Sequence, residues 1–252
     1  MSFDVSAGAY LQFMGRYSEP LAAGFADLAG VRRGQRALDV GCGPGALTAE
    51  LVSRVGAESV SAVEPSASFA AAARERLPGV DVRRSPAERL PFPDGAFDVT
   101  LAQLVVHFMA DPVQGLGEMR RVTRPVGTVA ACVWDHAGGR GPLAAFWTGV
   151  RELDPDAADE SELEGAREGD LAGLFAQAGL SSVQAGTLTV RVRHASFDDW
   201  WERFTLGVGP AGTYLASLTP ERRAALREQC RRLLPAAAID ITAVAWAVSG
   251  RS

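Results

Sequence analysis

Short apolar runs alternate along this chain with longer stretches in which apolar residues recur at three- and four-residue steps. The short runs predict strands, and the longer stretches predict helices. In the first half of the chain, strands are predicted at 36–40, 59–64, 80–84, 97–103 and 128–134, and helices at 46–55, 67–77 and 111–122. Strands that alternate with helices in this way predict a mostly parallel sheet.

The pattern outside this stretch is less regular. Residues 5–29 carry apolar and aromatic positions at helical steps, which predicts one or two helices in front of the core. Later in the chain, helices are predicted at 143–153, 171–178, 197–204 and 220–234, and strands at 182–193 and 239–248. The acidic segment 154–168 is interpreted as a solvated face, and a mobile lid or a linker are the open alternatives.

One domain is expected to span residues 1–252. Its core is predicted at about 31–134, 170–196 and 236–250, and its cap elements at about 1–30, 136–169 and 197–235. A chain of 252 residues can form one large core. The hydrophobic content of 47% and the charged content of 22% are typical of globular proteins.

Composition also narrows the compartment and the partners. No apolar run approaches the roughly 18 residues of a membrane span, and no signal peptide is visible at the N-terminus. Because Cys42, Cys132 and Cys230 lack metal or redox spacing, we expect no metal site and a cytoplasmic protein with free thiols. The net charge of −5 argues against a nucleic-acid binder, which usually needs a basic face.

The most informative stretch is the glycine-rich turn after the first predicted strand. It has the sequence Leu-Asp-Val-Gly-Cys-Gly-Pro-Gly over residues 38–45, and the second predicted strand ends at Glu64. This order is typical of a βαβ unit that holds a nucleoside, with a strand, a glycine turn, a helix and a second strand that ends in an acid. Dinucleotide sites use Gly-x-Gly-x-x-Gly, whereas one residue separates the later glycines here. This spacing disfavours a pyrophosphate ligand, and the nearby Asp39 suits a ligand that carries an ammonium group.

Together with three later landmarks, this turn resembles the class I S-adenosylmethionine (SAM)-dependent methyltransferases. The landmarks are Glu64, the segment Ala-Glu-Arg-Leu-Pro-Phe-Pro-Asp-Gly-Ala-Phe-Asp at 87–98, and the strand, helix and turn that end in Arg-Pro-Val-Gly at 124–127. The likeness is to the small-molecule branch with the ubiquinone/menaquinone C-methyltransferases and the trans-aconitate methyltransferases, and it covers about residues 8–134. It implies a Rossmann-like α/β fold with a seven-stranded, mostly parallel sheet, an antiparallel last strand, helices on both faces and helical caps.

The resemblance also implies a site for SAM, with S-adenosylhomocysteine as the product. The implied cofactor residues are Arg16, Asp39, Gly41, Cys42, Gly43, Gly45, Glu64, Pro65, Pro86, Ala87, Glu88, Gln103 and Leu104. Asp39 would hold the amino group and Glu64 the ribose hydroxyls, because a carboxylate accepts hydrogen bonds on two oxygens. Arg16 is a candidate partner for the SAM carboxylate. Pro86 stands where many relatives have Asp or Asn, so adenine recognition would depend on Ala87 and Glu88.

Residues just past the fourth and fifth strands would line the pocket for the methyl acceptor. The candidates are His107, Trp134, His136 and Trp147. His107 is the candidate general base, and its alternative role is to pack or to cap a helix. The alternative for the tryptophans is the core, where aromatic residues on helices more often lie, and Cys42 is interpreted as a packing residue.

The resulting hypothesis is methyl transfer from SAM to a small-molecule acceptor at an O, N or C atom. We expect neither a nucleic-acid nor a membrane partner, and either a monomer or a homodimer. A non-catalytic SAM-binding or scaffold protein of the same fold is the alternative. A nucleic-acid methyltransferase is a weaker one, because Gln103-Leu-Val-Val-His107 lacks the Pro-Pro-aromatic motif of base-modifying enzymes.

Overall fold

The computed structural model describes residues 6–235 and 237–252. Positions 1–5 of the predicted cap and position 236 of the predicted core therefore lie outside the described residues. Seven strands form one sheet in the order β3-β2-β1-β4-β5-β7-β6. They are β1 (Ala37–Val40), β2 (Val60–Val63), β3 (Asp81–Arg83), β4 (Phe97–Gln103), β5 (Thr123–Trp134), β6 (Ser181–His194) and β7 (Ile239–Arg251).

Strands β1 to β5 pair in parallel, and β7 pairs antiparallel with both β5 and β6. The expected seven-stranded, mostly parallel sheet with an antiparallel last strand is confirmed. Because parallel strands share one carboxyl edge, the residues that follow β1, β2 and β4 come together there. This edge is where the glycine turn, Glu64 and Gln103 meet.

Ten α-helices are described around the sheet. They are α1 (Ala7–Tyr10), α2 (Arg16–Leu28), α3 (Ala46–Val55), α4 (Ala67–Arg76), α5 (Pro112–Val122), α6 (Ala144–Leu153), α7 (Asp170–Gln177), α8 (Phe197–Glu202), α9 (Gly209–Ser217) and α10 (Pro220–Leu233). A π-helical stretch, Leu11–Gly15, joins α1 to α2. Ser66 caps α4 as predicted, since its side chain accepts a hydrogen bond from the Phe69 amide.

The sheet is covered on both faces by apolar side chains. Successive residues of β4 point to opposite faces, so Leu101 packs with α2 and α3, and Ala102 packs with α5 and α7. A third cluster packs α6, α8, α9 and α10 against Phe13 of the π-helical stretch. This third cluster forms a helical cap beside the carboxyl edge of the sheet.

Two local differences from the sequence prediction have physical causes. Helix α9 was not predicted, because Gly209, Pro210 and Gly212 weaken the helical pattern, although proline fits the first turn of a helix. The turn predicted at 124–127 is instead a bulge within β5, where Thr123 pairs with Phe97 and Thr128 with Val99. Within the described part of the chain, no helix combines the length and the apolarity that a membrane crossing requires.

Candidate functional site

A cavity of about 340 Å³ lies at the carboxyl edge of the sheet, where β1, β2 and β4 end. We call it the cofactor cavity. Its described lining consists of Tyr10, Ser18, Asp39, Gly41, Cys42, Gly43, Ala46, Leu47, Glu64, Pro65, Phe69, Pro86, Ala87, Glu88, Gln103, Leu104, Val105, Phe108, Met109 and Ala110. Eleven of the thirteen residues that the sequence assigned to the cofactor therefore line one cavity, and Arg16 and Gly45 do not.

The three glycines of the turn serve different purposes. All three have positive φ, a conformation that side chains with a Cβ rarely adopt. A Cβ on Gly41 would lie 2.6 Å from Val105, and one on Gly45 would lie 2.8 Å from Leu77, so these two glycines allow close packing within the protein. A Cβ on Gly43 would meet nothing within 4 Å. Of the three, only Gly43 is both free of protein neighbours and part of the cavity wall.

Glu64 joins the end of β2 to the glycine turn. Its Oε2 accepts a hydrogen bond from the Gly43 amide at 2.9 Å, and its Oε1 accepts one from the Ser66 amide at 2.8 Å. The side chain is buried, and this burial raises the pKa of the Glu64 carboxyl. A carboxylate has about four acceptor sites, so Glu64 keeps acceptor capacity toward the cavity that it lines.

Asp39 is the second acid of this wall. It is 1% exposed, and its Oδ2 accepts a hydrogen bond from the Thr48 hydroxyl at 2.6 Å. Burial, with the neighbouring Glu64, raises the pKa of Asp39 to about 7. The two acids make this end of the cavity suitable for a cationic group.

The end of β4 forms the opposite wall. Gln103 Nε2 donates to the Ser18 carbonyl at 3.0 Å, whereas Gln103 Oε1 and Ser18 Oγ are buried without a partner in the described chain. The next residue, Leu104, has φ 61°. Such a conformation is uncommon for leucine and is often found at functional sites. This wall thus offers two unsatisfied polar atoms beside a strained backbone.

The third part of the wall is the segment after β3. Pro86, Ala87 and Glu88 line the cavity as the sequence predicted. Glu88 Oε1 accepts from the Ala110 amide at 2.7 Å and from the Asp111 amide at 3.2 Å, next to the start of α5. This carboxylate therefore also fixes the loop between β4 and α5.

Arg16 does not occupy the place that the sequence prediction gave it. Its guanidinium forms an ion pair with Asp199 at 3.1 Å and donates to the Arg193 carbonyl at 2.7 Å. The partners belong to α8 and β6, so Arg16 connects α2 to these elements. Its role as a partner for the SAM carboxylate therefore stays a prediction, and this geometry does not support it.

A smaller cavity of about 40 Å³ adjoins the cofactor cavity. We call it the acceptor chamber. It is lined by Tyr10, Phe13, Met14, Leu104, His107, Phe108, Trp134, His136, Leu143, Glu160, Val208, Gly209 and Pro210. Tyr10, Leu104 and Phe108 line both cavities. Three of the four predicted pocket residues line the chamber, whereas Trp147 lies behind Glu160 in a separate small pocket.

The chamber is largely apolar and holds two neutral histidines. His107 is 8% exposed, and its ring centroid lies 5.9 Å from that of His136. Burial, with the neighbouring His136, holds the pKa of His107 well below its usual value. Burial also lowers the pKa of His136 to about 4. The Nδ1 atom of His107 and the Nε1 atom of Trp134 are buried without a partner in the described chain.

Glu160 is the residue of the chamber that the sequence did not reveal. The acidic segment was interpreted as a solvated face, but Glu160 is 5% exposed and accepts a hydrogen bond from Trp147 Nε1. Burial raises the pKa of Glu160 to about 7. Asp159 beside it pairs with Arg151 of α6. For Glu160 the interpretation was wrong, because a run of acids does not indicate which member turns toward a buried indole N–H.

Comparison with known proteins agrees with this geometry. The "Methyltransferase domain" family matches residues 38–131, which span the strands of the cofactor cavity. A probable S-adenosylmethionine-dependent methyltransferase of Mycolicibacterium smegmatis is 32% identical over 199 residues, which cover 74% of this chain and 75% of the relative. The demethylmenaquinone methyltransferase of Beutenbergia cavernae is 38% identical over 40% of this chain and 41% of its own length. The chain spans less than half the length of several curated relatives, 44% and 30% in two cases.

Solved structures show the same fold. The YcgJ protein of Bacillus subtilis matches with a TM-score of 0.58 at 19% identity, over 94% of this chain and 98% of that one. The same family is indicated by the sheet order, by the glycine turn and the acid after β2, and by the relative that is 32% identical over 75% of its length. The chain therefore belongs to the class I SAM-dependent methyltransferases, and its cofactor is SAM.

Proposed function

We propose that this protein transfers a methyl group from SAM to a small-molecule acceptor held in the acceptor chamber. The observation that carries the proposal is that the cofactor cavity and the chamber share Tyr10, Leu104 and Phe108. A methyl donor in the first cavity and an acceptor in the second would meet at these residues. Such an arrangement supplies the alignment on which a displacement reaction depends.

The residues of the cofactor cavity fit SAM in chemical terms. Gly43 leaves open space beside the turn, where the main chain would lie close to the amino-acid part of the cofactor. Gln103 Oε1 and Ser18 Oγ are acceptors without a partner in the described chain and suit the ammonium group, with Asp39 behind them. Glu64 would accept hydrogen bonds from the ribose hydroxyls, and the segment from Pro86 to Glu88 would lie along the adenine.

SAM supplies a methyl group that its sulfonium already activates. The protein's tasks are then to orient the two reactants and to exclude water, and the apolar lining of the chamber serves both. His107, the candidate base, is neutral because burial lowers its pKa. A neutral imidazole can take a proton, but the same burial disfavours the charged form that results. As a base, His107 stays a prediction.

Several features support a small acceptor. The chamber is enclosed by side chains of the N-terminal helices, the end of β4 and the helical cap, and has about 40 Å³ of space. The demethylmenaquinone methyltransferase is named for a quinone substrate, which agrees with an apolar acceptor. The acidic balance of the chain, −5, suits a metabolite better than a nucleic acid. A cytoplasmic location and a monomer or homodimer stay predictions.

Calorimetric titration with S-adenosylhomocysteine tests the cofactor site. Wild-type protein is expected to bind it, and Glu64→Ala to bind at least about a hundredfold more weakly, since each lost hydrogen bond to a charged group is worth about 1.5–3 kcal/mol. The control is Glu162→Ala, which removes an exposed carboxylate that pairs with Arg167. Absence of wild-type binding, or equal binding by Glu64→Ala, would contradict the proposal.

A second measurement separates an enzyme from a non-catalytic SAM-binding protein. Wild-type protein and SAM are incubated with a panel of small acceptors, and methylated products and S-adenosylhomocysteine are quantified by mass spectrometry. An enzyme yields both in equal amounts, and the yield falls with Glu64→Ala. Cofactor binding without any product would favour the non-catalytic alternative.

A further inference from the structure

We propose that Glu160 determines the acceptor specificity of the chamber: it accepts a hydrogen bond from an uncharged hydroxyl compound and excludes anions. The inference rests on the proposed function, because it takes the chamber as the acceptor site. It concerns a residue that no sequence motif marks and that belongs to the acidic segment between α6 and α7.

The first argument is the charge of the lining. Glu160 is the one carboxylic acid among the described residues of the chamber, and no arginine lines the chamber or the cofactor cavity. The chain contains no lysine. A carboxylate or phosphate acceptor would therefore enter a buried space that holds a like-charged group and no counter-charge. Such a juxtaposition costs several kcal/mol.

The second argument is the pair of buried polar atoms without a partner. Trp134 Nε1 carries a hydrogen that needs an acceptor, and His107 Nδ1 is either a donor or an acceptor according to its tautomer. A hydroxyl group both accepts and donates, so it can satisfy the indole and the imidazole or carboxylate together. An ammonium group cannot accept the indole hydrogen bond. The unsatisfied atoms thus favour a hydroxyl over an ammonium group.

The third argument is how Glu160 is held. Trp147 Nε1 donates to Glu160 Oε2, and Trp147 itself is fixed in α6 by its contact with Phe146, with ring centroids 5.2 Å apart. His136 lines both the chamber and the pocket behind Glu160. The carboxyl group is thus oriented by a buried indole, as expected of a group with a defined acceptor geometry.

The size of the chamber limits what enters it. A space of about 40 Å³ corresponds to roughly three water molecules at 10–15 Å³ each. The hydroxyl-bearing end of an acceptor fits this space, while its remaining atoms would extend toward the cofactor cavity through Tyr10 and Phe108. The apolar lining favours an apolar carrier of that hydroxyl.

The test uses full-length protein saturated with S-adenosylhomocysteine, and 4-ethylphenol and 4-ethylbenzoate as probes at pH 8. Binding is measured by ligand-observed NMR. The wild type is expected to bind the phenol at least about tenfold more tightly than the benzoate, because like charges oppose the anion. In Glu160→Gln the ratio is expected to fall below about threefold, since the amide removes the charge while it can still accept from Trp147.

The matched control is Glu162→Gln, the same substitution two residues along the segment at an exposed position. It should keep the wild-type ratio. Equal wild-type affinity for both probes, absence of phenol binding, or an unchanged ratio in Glu160→Gln would each overturn the proposal. If Glu160→Gln does not fold, the wild-type ratio still keeps the proposal falsifiable, because equal affinities for the two probes overturn it. Failure to bind S-adenosylhomocysteine would instead refute the proposed cofactor site, so the two failures are distinguishable.

Discussion

The cofactor cavity and the acceptor chamber share three residues, yet they are built in different ways. The cavity wall is made by main-chain turns that follow strands, such as the glycine turn after β1 and the bend after β4. The chamber wall is made by six separate segments, which extend from Tyr10 to Pro210. One wall depends on short-range sequence, and the other depends on how distant segments pack. The first wall can therefore be predicted from local sequence, whereas the second cannot.

The largest expected effect is a change in stability with pH that arises from one buried acid in each wall. Asp39 in the cavity and Glu160 in the chamber both have a pKa raised to about 7 by burial. The folded state then retains a proton that the unfolded chain loses near pH 3.8 at Asp39 and near pH 4.5 at Glu160. The contribution of each acid to stability is therefore expected to fall as pH rises to about 7 and to level off above, by roughly 3 kcal/mol for Glu160 and roughly 4 kcal/mol for Asp39.

Urea unfolding of wild type, Glu160→Gln and Glu162→Gln at pH 5 and pH 8 measures this effect. Most of the change in stability that Glu160 contributes between pH 5 and pH 8 should be absent from Glu160→Gln. The Glu162→Gln variant should follow the wild type. The groups near Glu160 are His107, His136 and the Asp159–Arg151 pair. Burial lowers the pKa of both histidines, so they stay neutral in the folded state, whereas the unfolded chain loses their protons near pH 6.5. Their contribution to stability therefore rises with pH, and it is common to the wild type and both variants. If the stability of Glu160→Gln changed with pH as that of the wild type does, this result would contradict the burial of Glu160.

The same contrast shows what sequence can and cannot reveal. Helix α3 and strand β4 have the bounds that the pattern predicted, because their periodicity and flanking residues are local. The wall at Gly43 and Glu64 was equally visible, since a short motif fixes it. Glu160 was not, because its burial depends on Trp147, thirteen positions earlier.

Arg16 and α9 illustrate two further limits. An arginine on an N-terminal helix can turn to either side of it, and the partner Asp199 is far away in sequence. A segment that contains Gly209, Pro210 and Gly212 has a weak intrinsic preference for helix. Packing of Ala211 and Leu215 against the cap overrides that preference.

Effects of intermediate size are expected from alanine substitutions at two glycines of the cavity wall, Gly41 and Gly43. Gly41→Ala is expected to lose about 2 kcal/mol or more of stability, because its φ is +72° and its Cβ would lie 2.6 Å from Val105. Gly43→Ala has no such clash and should lose about 1 kcal/mol from its φ of +53°. Its main effect should be weaker binding of S-adenosylhomocysteine, because the new methyl group faces open space beside the cavity.

Thermal unfolding and calorimetry on both variants measure the two effects. The double variant Gly41→Ala with Val105→Ala serves as the control and should recover part of the stability, since it removes the atoms that clash. If Gly43→Ala binds S-adenosylhomocysteine as tightly as the wild type, the turn does not contact the cofactor at that position. The glycine at position 43 would then be explained by its positive φ alone.

The smallest expected effect is that of Arg16→Gln. Since the Arg16 guanidinium pairs with Asp199 and donates to the Arg193 carbonyl, its loss should reduce stability by about 1 kcal/mol. The affinity for S-adenosylhomocysteine should change less than about twofold, because Arg16 does not line the cofactor cavity. Calorimetry and urea unfolding of the same preparation measure both quantities. A tenfold loss of affinity at unchanged stability would return Arg16 to the cofactor site, and α2 would then have to present this side chain to the cavity when the ligand binds.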